Sequence, residues 1–200
     1  MGKFFNNNAA VQQRSQGEIL YSRFHSSRHN LLLVIVFSLI NIVLLITNSG
    51  TYFLFSAFIP YLLVDYGMFG CGLYPAEYYE AYYPGMEFAD RSFIVVCSVI
   101  AAVVLILYLL CWIFSKKPRV GWLISALVFF VIDTVVMLFM VADLSQNIID
   151  IVFHCFVIFS LVRGIISYFK LKKLPEDLAP IGEEMQQEDI PVEDVLQENS

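Results

Sequence analysis

Two ionisable side chains stand where the surrounding chain is almost wholly apolar: Asp133 within Val120–Ala142 and His154 within Ile148–Phe169. A carboxylate against an imidazole can bind and release a proton, because His titrates near neutrality. The same two groups can also act as plain hydrogen-bonding glue that fixes which helix faces meet. Asn41 and Ser98 interrupt two other apolar runs, the first of which Ser38 also breaks, so each of four runs contributes at least one polar group. Ionisable residues in such runs are functional candidates by default, since leaving them unpaired in an apolar medium costs several kcal/mol.

No other catalytic pattern is present. The chain lacks a G-x-S-x-G elbow, a P-loop, an H-E-x-x-H pair and a G-x-G-x-x-G turn, and no enzymatic activity is expected. His25 and His29 are spaced i, i+4 but have no Cys or carboxylate ligand beside them. The four cysteines, Cys71, Cys97, Cys111 and Cys155, have no zinc-type spacing. Cys97, Cys111 and Cys155 fall in apolar runs, where a thiol packs as a small hydrophobe. Neither a metal nor a cofactor is expected.

The elements that carry the polar set follow from composition. Of 200 residues, 58% are hydrophobic, 16% aromatic and only 15% charged. A chain this short has too little interior to hide that much apolar surface. Such figures argue against a soluble enzyme, a disordered chain, a disulfide-stapled secreted domain and a nucleic-acid binder. Residues 31–47, 92–114, 120–142 and 148–169 form apolar runs, each near the roughly twenty residues that cross a hydrocarbon core about 30 Å thick. Backbone in lipid must bond to itself, so these runs must be helices. A fifth stretch, residues 51–66, is shorter and interrupted by Pro60.

Charge decides whether that stretch crosses. Basic residues mark the cytoplasmic side in short flanking loops. Lys3, Arg14, Arg23 and Arg28 precede the first run, Lys116, Lys117 and Arg119 follow the second, and Lys170, Lys172 and Lys173 follow the last. All three clusters fall on one side only if the chain crosses an even number of times between the first and second. Residues 51–66 are therefore expected to form a non-spanning helix in the outer leaflet. Asp65, Glu77, Glu80, Glu87, Asp90, Asp143 and Asp150 then lie outside, with Arg91 as the one base among them.

With this topology the polar groups share a level. Counting the helical rise of about 1.5 Å from the inner ends puts Asp133 about 20 Å and His154 about 22 Å along neighbouring helices. Asn41 comes at roughly 15–17 Å and Ser98 at about 24 Å. Arg163, about 9 Å from its inner end, is placed to snorkel to the headgroups.

Two regions flank the spans with recognition potential. The outer loop 67–90 is rich in tyrosine, including Tyr74, Tyr78, Tyr79, Tyr82 and Tyr83. Such side chains suit a membrane-hugging cap or a surface for an external protein partner. Residues 174–200 carry nine of the eighteen acids and no base, leaving residues 1–173 at +3 although the whole chain is −6. That tail is expected to be disordered and cytoplasmic, with short apolar clusters for a basic partner. Residues 1–30 are expected to form a cytoplasmic arm, in part an interfacial helix. They place the first apolar run too late for a cleavable signal.

The layout, with inner termini, a long first outer loop and a short second one, is similar to that of claudin-like four-span proteins. The stretch Gly70-Cys71-Gly72-Leu73-Tyr74 lacks the Trp and paired loop cysteines of the claudin signature, so the resemblance is one of topology and assigns no residue roles. The expected fold is an all-α integral membrane protein: a four-helix antiparallel transmembrane bundle with an additional non-spanning outer-leaflet helix. The expected location is a cell membrane, multi-pass, with both termini cytoplasmic. The leading functional expectation is a non-enzymatic interaction or accessory subunit that touches lipid, a protein partner at the outer loop or acidic tail, or further copies of itself, and no nucleic acid. The alternative is a small proton- or cation-linked transporter or channel subunit working through Asp133 and His154.

Overall fold

The structure, a computed structural model, describes residues 2–53, 56–116, 120–140 and 148–174, with side chains from residue 16 onward. The acidic tail beyond residue 174, and Lys117, Arg119 and Asp143, lie outside the described residues. Among the described residues six helices occur: α1 (Gly2–Ile46), α2 (Phe58–Gly70), α3 (Ala76–Tyr82), α4 (Ser92–Phe114), α5 (Val120–Met140) and α6 (Ile148–Leu171). No strand occurs among the described residues. Four helices are long and apolar enough to cross a membrane: Gln16–Ile46 of α1, and the whole of α4, α5 and α6.

The arm at residues 1–30 and the first apolar run form one helix rather than two. No proline interrupts residues 2–46, and nothing else forces a break. α1 stops at Asn48, whose φ of 48° is left-handed. Ser49 N donates to Leu44 O at 3.1 Å and Asn48 N to Leu45 O at 3.0 Å, which is the Schellman pattern for satisfying terminal carbonyls.

The short helix starts at Phe58 and ends at Gly70, later at both ends than the expected 51–66. Residues 51–53, 56 and 57 are non-helical. Pro60 does not interrupt α2; it sits in the first turn, where a residue without an N–H leaves no donor unpaired. The far end closes on Gly72 at φ +68°, with Leu73 N donating to Met68 O at 3.0 Å.

The chain divides into two compact units, one made by the first part of α1 with the last part of α6, the other by Ser27–Val162. In the first, the rings of Phe24 and Tyr168 lie 5.9 Å apart. In the second, α2 packs on α4 and α5. Val64 and Met68 form a core with Ala101, flanked by Ile42, Leu45 and Ile94. Rising residue numbers on α2 meet falling numbers on α4, because Gly67 abuts Ile94 and Cys97 while Gly70 abuts Phe93. A Cβ on Gly67 would fall 3.0 Å from Cys97 Cβ and 3.1 Å from Ile94 Cα, so glycine sets the closeness of these backbones. α4 meets α5 through Tyr108 and Phe130, whose ring centroids are 6.5 Å apart. α1 reaches the end of α4 with Arg28, which donates to Ser115 Oγ at 3.1 Å and to Trp112 O at 3.3 Å. A cation there complements the negative end of the helix dipole. Asn30 on α1 donates to Ser160 Oγ on α6 at 2.7 Å.

All four cysteines are free. Cys97 and Cys111 are buried, whereas Cys155 is exposed rather than packed inside. Cys71 donates to Asp90 O at 3.3 Å. Around the unit the helices turn large apolar side chains outward, among them Val95, Val99, Val103 and Phe139.

A polar seat for the start of a short helix

The first four backbone N–H groups of any helix lack partners within it. At α2 this problem is acute, because its N-cap residue is Ala57 and makes no side-chain cap. The missing acceptors come from α1 and α5. Ala57 N donates to Ser38 Oγ at 2.7 Å, Phe58 N to Asp133 Oδ2 at 2.8 Å and Ile59 N to Asp133 Oδ1 at 2.7 Å. The fourth position is Pro60, which has no N–H. Every orphan donor at this helix end is therefore satisfied or absent.

The chain leading into α2 is held by the same helix, α1. Asn41 Nδ2 donates to Phe53 O at 2.7 Å and to Ser56 Oγ at 2.8 Å, while Phe53 N donates to Asn41 Oδ1 at 2.7 Å. The amide thus reads both backbone groups of Phe53, as a neighbouring strand would. Ser56 Oγ also pairs with the Tyr52 hydroxyl at 2.8 Å. Ser38, Asn41 and Asp133 are each at most 1% exposed, and no buried side-chain nitrogen or oxygen among the described residues lacks a partner.

Asp133 and His154 do meet. His154 Nε2 lies 3.4 Å from Asp133 Oδ2, and its Nδ1 lies 2.9 Å from the backbone oxygen of Asp150. Both ring nitrogens face oxygen acceptors. A doubly protonated ring donates to both; a singly protonated ring turns one lone pair toward an oxygen. Phe130 stacks on the imidazole at 5.1 Å, which closes its other side. The carboxylate is also aligned with the positive end of the α2 dipole.

The expected polar set is therefore only partly brought together. Asp133 and His154 pair, and Asn41 joins through residues 53–59. Ser98 on α4 is half-buried and makes none of these bonds. Ser38 completes the seat although its sequence position marked it only as a break in an apolar run. Its hydroxyl donates to Val34 O at 2.7 Å while accepting from Ala57, and a Ser bonded to its own helix carries no outward signal.

The tyrosines at positions 74–83 separate into two groups. Tyr79 is buried at 6% exposure; its hydroxyl donates to Phe69 O at 3.0 Å and accepts from Tyr74 N at 3.3 Å. The Tyr74 hydroxyl donates to Asp65, and burial, then this bond, raises its pKa above the ordinary phenol value. These two are internal ties of the loop. Tyr78, Tyr82 and Tyr83 are exposed, Tyr82 by 70%. Asp90 accepts from Ser92 N at 2.8 Å, and that backbone bond lowers its pKa below the ordinary carboxylate value. Arg163 is exposed on α6.

Fold and seat together define, among the described residues, a helical protein with four helices of membrane-crossing length and two short ones, of which α2 is held by buried polar side chains. Comparison with family models, with curated proteins and with solved structures returns no match.

Proposed function

We propose that this is a four-span membrane protein of the interaction or accessory kind, whose bundle holds α2 as a re-entrant half-helix and so supports an outer cap. The observation that carries the reading is the occupation of Asp133: both carboxylate oxygens accept backbone N–H groups of α2. A side chain engaged this way serves architecture first. Non-helical backbone at membrane depth is tolerated only when buried in protein, and Ser38 and Asn41 supply that burial around residues 53–57.

The chain leaves α1 on the outer side, returns to the level of Ser38 and Asp133, and runs outward again as α2. It does not cross, in keeping with the even count that the basic clusters require. The opposed numbering of α2 and α4 supports antiparallel packing, and the outward apolar side chains of α4, α5 and α6 suit lipid or a second copy. Both termini then face the cytoplasm of the cell membrane in which the protein resides. Tyr78, Tyr82 and Tyr83 are the side chains that a protein partner would meet outside.

The second reading, a proton-linked transporter or channel subunit, rests on His154 standing between two acceptors. The accessory reading is tested by affinity purification from native membranes with the wild type, a Tyr78→Ser/Tyr82→Ser variant and a chain lacking residues 174–200. It predicts that a specific partner is lost with one of these changes. An identical partner set in all three contradicts it.

A further inference from the structure

Within the Ser27–Val162 unit, α3 and the loops on either side of it line an open cleft of about 420 Å³, within the usual range for small-molecule sites. Its walls include the rings of Tyr74, Tyr79, Tyr83 and Phe88, and its one charged lining group is Glu80. The Tyr79 and Phe88 rings are 4.9 Å apart at 79°, so two walls stand nearly at right angles. That corner is preformed. The Tyr79 hydroxyl is fixed on backbone groups at both its bonds. Gly72 lets Phe88 close in, since a Cβ there would fall 2.8 Å from the ring.

The chemistry of the lining selects its ligand. Aromatic faces attract cations, best when the cation is poorly hydrated. A primary ammonium has three N–H groups to satisfy, and the cleft offers a single carboxylate. An alkylated ammonium has no such need. The charge of the segment agrees: residues 65–91 carry Asp65, Glu77, Glu80, Glu87 and Asp90, with Arg91 as their one base. We propose that this cleft binds a quaternary ammonium group, with the exposed rings of Tyr83 and Phe88 against the methyls, Tyr79 holding Phe88 in place from beneath, and Glu80 as counter-charge. The site goes beyond the accessory reading and does not depend on any protein partner. The same group occurs on a free choline-like solute and on a choline lipid headgroup.

Calorimetry on the full chain tests it, first in a maltoside detergent with choline chloride, then with the uncharged tert-butyl isostere of choline. Saturable choline binding is expected, with the isostere weaker by about tenfold or more. Glu80→Gln and Tyr83→Ala change exposed positions, and each is expected to weaken choline binding about tenfold with the melting temperature unchanged. Should Tyr83→Ala unfold the loop, Glu80→Gln alone decides. Nanodiscs separate the sources: choline binding seen in phosphatidylglycerol discs but suppressed in phosphatidylcholine discs indicates the headgroup, and equal binding in both indicates the free solute. No saturable choline binding in either detergent or phosphatidylglycerol discs, or an isostere that binds as tightly, overturns the proposal.

Discussion

Asp133 is an acceptor on both of its oxygens, and this makes its amide analogue a sharp probe. In Asp133→Asn one oxygen remains, while the new NH2 group faces a backbone N–H of Phe58 or Ile59. A buried donor then goes unpaired, at a cost of about 1–3 kcal/mol. The melting temperature in detergent should fall, and amide exchange at residues 57–59 should accelerate. Proton flux in proteoliposomes separates the two functional readings in the same experiment: flux present in the wild type and abolished in a folded Asp133→Asn protein favours transport. Its absence in both favours the structural role. The pairing of Asp133 with His154 was legible because helical rise places both at one level. Ser98 satisfied the same count, yet height along a helix says nothing about the direction in which a side chain points. The partners of Asp133 were not legible, since backbone donors have no side-chain signature.

At the scale of elements, the short helix was legible in kind and misplaced in register. Apolar composition draws the boundary toward residue 51, and Pro60 reads as an interruption within the stretch. Pro60 instead marks a first turn, and Ser56-Ala57 before it offers no cap of its own, so the acceptors had to come from other helices. An uncapped apolar helix that begins at a proline is a usable sign of this arrangement. The close approach of α2 to α4 rests on Gly67. Gly67→Leu drives a side chain into the Ile94 backbone and should destabilise the protein by about 1–3 kcal/mol, as overpacking usually does. A thermal melt that matched the wild type would show that α2 and α4 are not so tightly apposed. α1 is tied to the last turn of α4 in a different way, by Arg28 donating to the Trp112 carbonyl and the Ser115 hydroxyl. Continuity of α1 from the arm into the first apolar run was missed, because a change from polar to apolar composition was taken for a change of element, whereas helices run through such changes when no proline intervenes.

For the whole molecule, 58% hydrophobic residues in a chain of 200, gathered into four long runs, lead to the expectation of four long apolar helices, and four such helices occur among the described residues. The outward-facing valines and phenylalanines are the expected counterpart of that excess. Sidedness rests on Lys and Arg, and it stands or falls with the path of residues 47–73. The decisive measurement is labelling of single cysteines, placed in turn at Asn48, Leu73 and Lys116 of a cysteine-free chain, with a membrane-impermeant maleimide on intact cells. The account predicts that Asn48→Cys and Leu73→Cys are both labelled from outside, while Lys116→Cys is labelled only after permeabilisation. Labelling of Asn48→Cys and Leu73→Cys from opposite sides would mean that α2 crosses the membrane, and the half-helix seated on Asp133 would be contradicted.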